Sequence, residues 1–346
     1  MSNAYSLANL GWHPFFQQQL SLEEWETVIP ARVIEQHKSM VTVASDNSIH
    51  HLQLQHSMPE MVVGDWVLLE QNQTFSRLLE RKSCFKRKAA GSKVDWQLIS
   101  ANVDSAFIVC SMNEDFNLNR IERYLALVNE ANVEPVVVLT KSDLVENPES
   151  YRAEVQGIDN LLCVEVINGL DNESLEGLRC WTKSGNTIAV LGSSGVGKST
   201  LVNTLLGVEV QETGAIRADD AKGRHTTTSR SLVSIPSGGM ILDTPGMREL
   251  QLADCKEGIS ATFHDIEELA ISCRFANCQH QTEPHCAVRH AVNSGELEQR
   301  RLDSYLKLLR EEQMNSASLA EKRAKNKALG KYYKRTLSES HKLKGR

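Results

Sequence analysis

The apolar positions change period three times along the chain, and each change marks a change of architecture. Residues 1–27 hold scattered large apolar side chains, Trp12, Phe15, Phe16, Leu20, Leu22 and Trp25, enough to pack an N-terminal arm against a neighbour. From Val28 to Leu79 short runs alternate with period two: Arg32 to Glu35, Val41 to Ala44, Ile49 to Leu54 and Gly64 to Leu69, broken at Asp46-Asn47 and Met58-Pro59. That pattern predicts a small antiparallel barrel or sandwich. A basic stretch, Arg81 to Lys88, followed by Gly91, then reads as a linker. Beyond it the strands become fully apolar: Ala106 to Cys110, Val136 to Leu139, Leu161 to Val166, Thr187 to Leu191, Leu232 to Ile235 and Met240 to Leu242. They alternate with stretches of helical spacing at Asn119 to Ala131 and Lys198 to Leu206, which predicts a mostly parallel sheet with helices on both faces. After Asp254 no strand pattern remains, and a Cys/His-rich helical segment leads into a basic tail.

Composition narrows the class without changing this outline. With 346 residues the chain is long enough for two or three domains, and 41% hydrophobic with 24% charged residues is an ordinary globular balance. No apolar run approaches the roughly 18 residues of a bilayer span, and the N-terminus lacks a basic n-region, so a cytoplasmic chain without a membrane partner is expected. The net charge of −6 conceals an asymmetry: residues 300–346 carry 14 Lys/Arg against 5 Asp/Glu, so a +9 tail follows a −15 body. A polyanionic partner is the expectation for such a tail, with a solvated helix face as its alternative.

The sharpest chemical signal is Gly192-Ser193-Ser194-Gly195-Val196-Gly197-Lys198-Ser199, which follows a predicted strand and opens a predicted helix. It fits G-x4-G-K-[ST] throughout, a phosphate loop in which main-chain N–H groups face the β-phosphate. Lys198 is expected at the β- and γ-phosphates and Ser199 at Mg²⁺, with Thr200 next in the loop-to-helix turn. Asp243-Thr244-Pro245-Gly246 ends an apolar strand, where Asp243 is placed to hold Mg²⁺ through water and the Gly246 N–H to meet a γ-phosphate. Thr140-Lys141-Ser142-Asp143 matches the guanine-reading N/T-K-x-D pattern; its aspartate accepts from guanine N1–H and the 2-amino group together, a donor pair adenine does not offer. This guanine motif precedes the phosphate loop, the reverse of the usual order, so the GTPase is expected to be circularly permuted. Met247 occupies the place where many GTPases carry a water-orienting glutamine, and methionine cannot do that work. Downstream, Cys273-x4-Cys278-x-His280-x5-Cys286 offers three thiolates and an imidazole, a closed set suited to structural Zn²⁺. Disulfides are the rival reading, and His264, His285 or His290 can each stand in for His280. The other cysteines, Cys84, Cys110, Cys163, Cys180 and Cys255, are expected as small apolar residues.

Barrel, permuted motifs and Cys/His site in this order resemble the bacterial small ribosomal subunit biogenesis GTPases of the RsgA (YjeQ) family, over about residues 28–310. The likeness includes Ala101-Asn102-Val103-Asp104 and Gly223-Arg224-His225-Thr226-Thr227-Thr228. It implies an N-terminal OB-fold barrel, a P-loop α/β GTPase domain and a C-terminal helical zinc module. The boundaries expected are 1–27 for the arm, 28–85 for an RNA-binding OB-fold and 86–100 for the linker, then 101–253 for the GTPase, 254–310 for the zinc module and 311–346 for the tail. It further implies a monomer that binds the 30S subunit and its 16S rRNA, hydrolyses GTP under ribosomal stimulation and acts late in 30S maturation. His225 is the implied catalytic residue beside Lys198, and Thr227, or its neighbours Thr226 and Thr228, the switch hydroxyl at Mg²⁺ and γ-phosphate. One departure is that the guanine-supporting Ser-Ala segment reads Glu165-Val166-Ile167-Asn168-Gly169. Two rival readings stay open: a permuted GTPase acting on another RNA or protein complex, and an RNA-binding module that keeps GTP as a structural ligand.

Overall fold

The computed structural model describes residues 5–88, 96–207, 230–243, 252 and 254–316. The arm forms two short helices, α1 (Pro14–Gln17) and α2 (Leu22–Thr27). A reciprocal capping box between Ser21 and Glu24 opens α2, and Arg77 grips the same Glu24 through Nε at 2.7 Å and Nη2 at 2.9 Å. The Arg77 bonds, with the Ser21 N–H, hold the Glu24 carboxyl down to about 2.

The barrel-like unit comprises β1 (Val28–Gln36), β2 (Met40–Ser45), β3 (Ser48–Gln53), β4 (Trp66–Glu70) and β5 (Phe75–Leu78). β1 pairs antiparallel with β2 on one side and β4 on the other, while β2 carries β3 and β4 carries β5. Alternation sorts the side chains as expected, but both faces of these strands are buried. Ala31, Val33, Val67 and Leu69 fill the barrel core, whereas Ile34, Trp66 and Leu68 join the arm residues Leu10 and Phe16 in the main core. Trp12 and Phe16 lie against Trp66 with ring centroids 4.8 and 5.6 Å away.

Residues 86–100, expected as a linker, instead contribute to an antiparallel pair, β6 (Cys84–Lys88) and β7 (Trp96–Ala101). Phe85 and Ile99 are buried there, and burial of these two outweighs the basic run beside them. Lys86 places its ammonium over the Trp96 ring at 5.3 Å.

The central domain carries β8 (Ser105–Ser111), α3 (Leu118–Glu130), β9 (Glu134–Thr140), α4 (Pro148–Gln156), β10 (Cys163–Val166), α5 (Arg179–Thr182), β11 (Thr187–Leu191), α6 (Lys198–Leu206), β12 (Arg230–Ser234) and β13 (Met240–Asp243). The strand order is β10-β9-β8-β11-β13-β12, parallel except for β12, which runs antiparallel to β13 and pairs with β1 of the barrel. Barrel and GTPase strands therefore form one hydrogen-bonded sheet. The C-terminal module consists of α7 (Lys256–Thr262), α8 (His264–Ile271), α9 (Ala287–Ser294) and α10 (Gln299–Ser316), so α10 runs past residue 310 into the segment expected as tail. Residues 317–346 lie outside the described residues. α7 packs on α3 at Gly258, where a Cβ would stand 2.0 Å from the Ala126 carbonyl oxygen. α10 locks the contact: buried Glu122 of α3 receives Arg301 Nη1 at 2.9 Å and Arg300 Nη1 at 3.1 Å, and Arg301 also forks onto Asp265 at 2.7 and 2.8 Å. Cys110 and Cys255 are buried as expected, and Cys84 is half-buried, but Cys163 and Cys180 are exposed, at the start of β10 and on α5.

Arg32, in the middle of β1, is wholly enclosed where barrel, arm and GTPase sheet meet. Its guanidinium donates to the carbonyls of Gly64 at 3.2 Å, Asn102 at 2.7 Å and Leu10, and to the Thr187 hydroxyl at 2.7 Å. Burial pushes its pKa down to about 10, still charged at neutral pH, with Asp104 and Asp65 opposing that fall. Arg32→Met removes the donors while keeping an unbranched chain, so unfolding free energy falls by on the order of 3 kcal/mol, against about 1 kcal/mol for Thr187→Val. Urea unfolding measures both; an Arg32→Met midpoint equal to wild type contradicts this role.

Candidate functional site

The phosphate loop runs from β11 into α6. Gly192 takes φ +143°, and a Cβ on it would lie 2.4 Å from the Val109 carbonyl oxygen, so only glycine lets the loop leave β11 against β8. At Gly195 a Cβ would meet nothing within 4 Å, so the top of the loop faces open space. Gly197 occupies the N-cap of α6 with no side-chain cap, leaving the first-turn N–H groups around Lys198, Ser199 and Thr200 to an anion. Lys198 spans the loop, its ammonium donating to the Ser193 carbonyl, with Ser194 between the two glycines at 192 and 195. This cradle suits a polyphosphate, and Ser199 follows the lysine where a Mg²⁺-binding hydroxyl is required.

Thr140, at the last position of β9, is buried and donates its hydroxyl to the Val196 carbonyl of the phosphate loop at 2.7 Å. The guanine motif and the phosphate loop are thus hydrogen-bonded to each other at the carboxyl edge of the sheet, where open α/β folds bind ligands. Lys141 adopts a left-handed φ of +63°, and one 3₁₀ turn, Ser142–Leu144, presents Asp143 to solvent. The segment that departs from Ser-Ala follows β10 into this neighbourhood. Ser142 N–H donates to Ile167 O at 3.3 Å, Asn168 N–H to the Ser174 hydroxyl at 2.7 Å, and Thr204 of α6 donates to Gly169 O at 2.7 Å. Residues 167–169 therefore lie between the Thr-Lys-Ser-Asp turn and the phosphate-loop helix. Sequence reading missed Ser174 and Thr204 because both act on main chain and belong to no motif. It also missed the role of Asp104, whose carboxylate accepts from the Thr187 N–H at 2.9 Å and holds the start of β11.

The backbone of Asp243 ends β13, beside the phosphate-loop strand. His225, Thr226, Thr227, Thr228, Gly246 and Met247 lie outside the described residues.

Cys273, Cys278, His280 and Cys286 converge in the C-terminal module, with all ligand atoms within 4.8 Å of one another. Cys273 Sγ lies 3.9 Å from Cys286 Sγ, and His280 Nδ1 lies 3.4 Å from Cys286 Sγ and 3.7 Å from Cys273 Sγ. A tetrahedron of ligands at roughly 2.0–2.3 Å from a central ion requires edges of this size, whereas a disulfide requires roughly 2 Å between sulfurs. The geometry therefore settles two open choices among the described residues: the cysteines are free, and His280, through Nδ1, is the imidazole that joins them, not His264, His285 or His290. Burial pushes the His280 imidazole below the ordinary histidine range, which favours the neutral form. Cys286 also caps α9, accepting from the Arg289 N–H at 3.5 Å. The cluster has the donor chemistry and closure of a structural metal site.

The RsgA GTPase family model matches residues 78–253. A model described as ABC transporter matches residues 175–338, under half of the chain, across the phosphate-loop strand and helix. No described helix is long and apolar enough to cross a membrane. Small ribosomal subunit biogenesis GTPase RsgA 2 of Vibrio parahaemolyticus is 56% identical over 342 residues, 99% of this chain and 96% of the relative. The RsgA of Mesorhizobium japonicum is 45% identical over 90% of this chain and 91% of its own length. Among solved structures, YjeQ from Thermotoga maritima superposes with a TM-score of 0.62 at 24% identity, covering 81% of this chain and 97% of that one. The circularly permuted GTPase YloQ gives 0.60 at 23%, covering 84% and 96%. These two likenesses establish the permuted fold.

Thr140→Val preserves the shape of the residue and deletes the donor to Val196 O. The loop carbonyl is left without that partner, so the dissociation constant for GTP rises about tenfold. Fluorescent-nucleotide titration measures it, and wild-type affinity in the variant removes the Thr140 bond from the account of the site.

Proposed function

The chain belongs to the RsgA family of GTPases, and from that premise we propose that it hydrolyses GTP on the 30S ribosomal subunit, late in that subunit's maturation. The observation that carries this reading is the near full-length identity to proteins named for small-subunit biogenesis, which keeps barrel, GTPase and Cys/His module together in one chain.

In this reading the main-chain N–H groups from Gly192 to Lys198 and the Lys198 ammonium hold the β- and γ-phosphates. Asp143 reads guanine by accepting from two of its donors, and the stem of Lys141 lies in the same turn. Ser199, Asp243 through water and a switch threonine, Thr227 or a neighbour, hold Mg²⁺, which supplies charge neutralisation on the phosphates. Gly246 N–H meets the γ-phosphate, and His225 orients the attacking water, a task Met247 cannot take. Cys273, Cys278, His280 and Cys286 hold one structural zinc ion, which ties α8 to α9. The barrel, the zinc module and the +9 tail of this cytoplasmic monomer engage 16S rRNA, mostly at phosphates.

His225→Ala lowers single-turnover hydrolysis by about 10²-fold and leaves GTP affinity within about twofold, because a water-orienting group acts in the transition state. If affinity falls in step with rate, His225 is structural. Asp143→Asn presents an amide to one guanine donor, so GTP binding weakens and xanthosine triphosphate is gained; unchanged GTP preference overturns the base assignment. Metal analysis finds one zinc per chain, lost in Cys278→Ser together with protease resistance across residues 265–295. Free thiols without metal in anaerobically purified protein contradict this. Purified 30S subunits, and not 50S subunits, raise the hydrolysis rate, and the effect declines steeply with salt. Equal stimulation by 50S subunits or free RNA assigns another partner, and negligible turnover under all conditions makes GTP a structural ligand.

A further inference from the structure

The hairpin β12–β13 stands at a singular place in the chain. It covers residues 230–243, between the segment that carries His225 with its threonines and the segment that follows Asp243, so every covalent path from one expected switch to the other passes through it. Its outer edge belongs to the barrel: β12 pairs with β1 at Arg230↔Gln36 and Ser231↔Glu35, just past an irregularity in β1 between Val33 and Glu35. Two residue pairs make a slender joint, since each ladder hydrogen bond contributes only about 1 kcal/mol net.

The Arg230 side chain widens that joint to three bodies. Its Nη1 donates to the carbonyls of Leu98 at 3.0 Å and Ile99 at 3.2 Å in β7, and reaches the Gln36 amide oxygen at 3.5 Å. Gln36 in turn donates its Nε2 to the Met61 carbonyl at 2.9 Å, between β3 and β4. Hence the first residue of the strand between the switches is bonded to the barrel and to the β6–β7 pair by one guanidinium. Burial pulls the Arg230 pKa down, and Arg87 adds to that. The position gains from the fork of donors rather than from charge attraction.

We propose that Arg230 is a positioning residue whose bonds link the barrel's grip on its RNA partner to the nucleotide state of the GTPase site, with the β1–β12 joint as the linking element. Coupling of this kind is reciprocal: if RNA engagement shifts the hairpin toward its GTP-bound setting, GTP must tighten RNA engagement by the same factor. Arg230 touches neither ligand, so its loss removes the linkage and spares each site by itself. The proposal rests on the small-subunit reading only for the choice of RNA partner.

The test uses the full chain as wild type, Arg230→Gln, Arg230→Lys and Gln36→Leu, each checked for an unchanged melting temperature. Affinity for purified 30S subunits is measured with GDP and with a non-hydrolysable GTP analogue. Wild type favours the analogue by about tenfold or more, Arg230→Gln and Gln36→Leu bring that ratio to within about twofold of unity, and Arg230→Lys lies between. Basal hydrolysis and nucleotide affinity without ribosomes stay within about twofold of wild type throughout. A wild-type ratio retained in folded Arg230→Gln overturns the proposal, as does basal hydrolysis falling as far as the stimulated rate. Should Arg230→Gln unfold, Gln36→Leu decides by the same two criteria. If wild type binds no 30S subunit, the functional reading fails first, and amide exchange in β1 and β7 with GDP against the analogue decides the linkage alone. A nucleotide-dependent difference lost in the variants supports it, and no difference in wild type overturns it.

Discussion

The carbonyls of Leu10, Gly64 and Asn102 and the hydroxyl of Thr187 all point at the Arg32 guanidinium, from four stretches of chain that sequence separates widely. Inside a protein an unmet charge is expensive, so this group persists only where every acceptor is in place. A planar fork with five donors can meet four acceptors at once, which a lysine ammonium on a flexible stem cannot do. The arm, the barrel, the junction ahead of β8 and the phosphate-loop strand are consequently fixed together by one requirement. Asp104 reinforces it from the other side, taking the Thr187 N–H while bonding Lys82 at 3.2 Å. The phosphate loop begins five residues after Thr187, so the register of its strand is set at the interface with the barrel.

What the sequence made legible follows from where side-chain identity is indispensable. A phosphate loop needs glycines and a lysine at set places, and a metal site needs thiolates and imidazoles at set spacing, so both could be read directly. Arg32 was hidden because alternation places Ala31 and Val33 on a core face and suggests that the face between them is solvated. Both faces are in fact covered, one by the barrel interior and one by the arm. The β6–β7 pair was hidden by Lys86-Arg87-Lys88, whose charge masks the burial of Phe85 and Ile99. Residues 167–169 were illegible for another reason: their contacts to Ser142, Ser174 and Thr204 use main-chain atoms, which any side chain can supply. The choice among four histidines needed three dimensions. His280 sits at a left-handed φ of +57°, and only that turn aims its Nδ1 at the sulfurs.

Permutation decides what the switches can push against. The segment after Asp243 leads directly into the C-terminal module, which is braced on α3 by Glu122, Arg300 and Arg301 and by the close approach of Gly258. Buried Glu122 is not a simple source of stability, because desolvating a carboxylate and two guanidiniums offsets much of their attraction. What the cluster supplies is direction, since each planar group accepts few orientations. Removing Glu122 alone strands two guanidiniums, which is why such a contact, once formed, holds a single docking pose.

That pose matters for the nucleotide site because α3 has two working faces. One receives α7 and α10; the other, through Arg120, Ile121 and Tyr124, lines a small hollow together with Ser193 and Val196 of the phosphate loop. Val196 is the residue whose carbonyl Thr140 holds from the guanine side. The loop therefore rests between a hydrogen bond that belongs to base recognition and a helix that belongs to the docking of the metal module. Close-packed side chains resist graded deformation, so a shift of α3 must either be absorbed within its own packing or move the loop against Thr140. A rigid helix with apolar Ile121 and Leu125 in the core favours the second. The C-terminal module thus bears on phosphate binding through packing alone, without any residue of its own reaching the nucleotide.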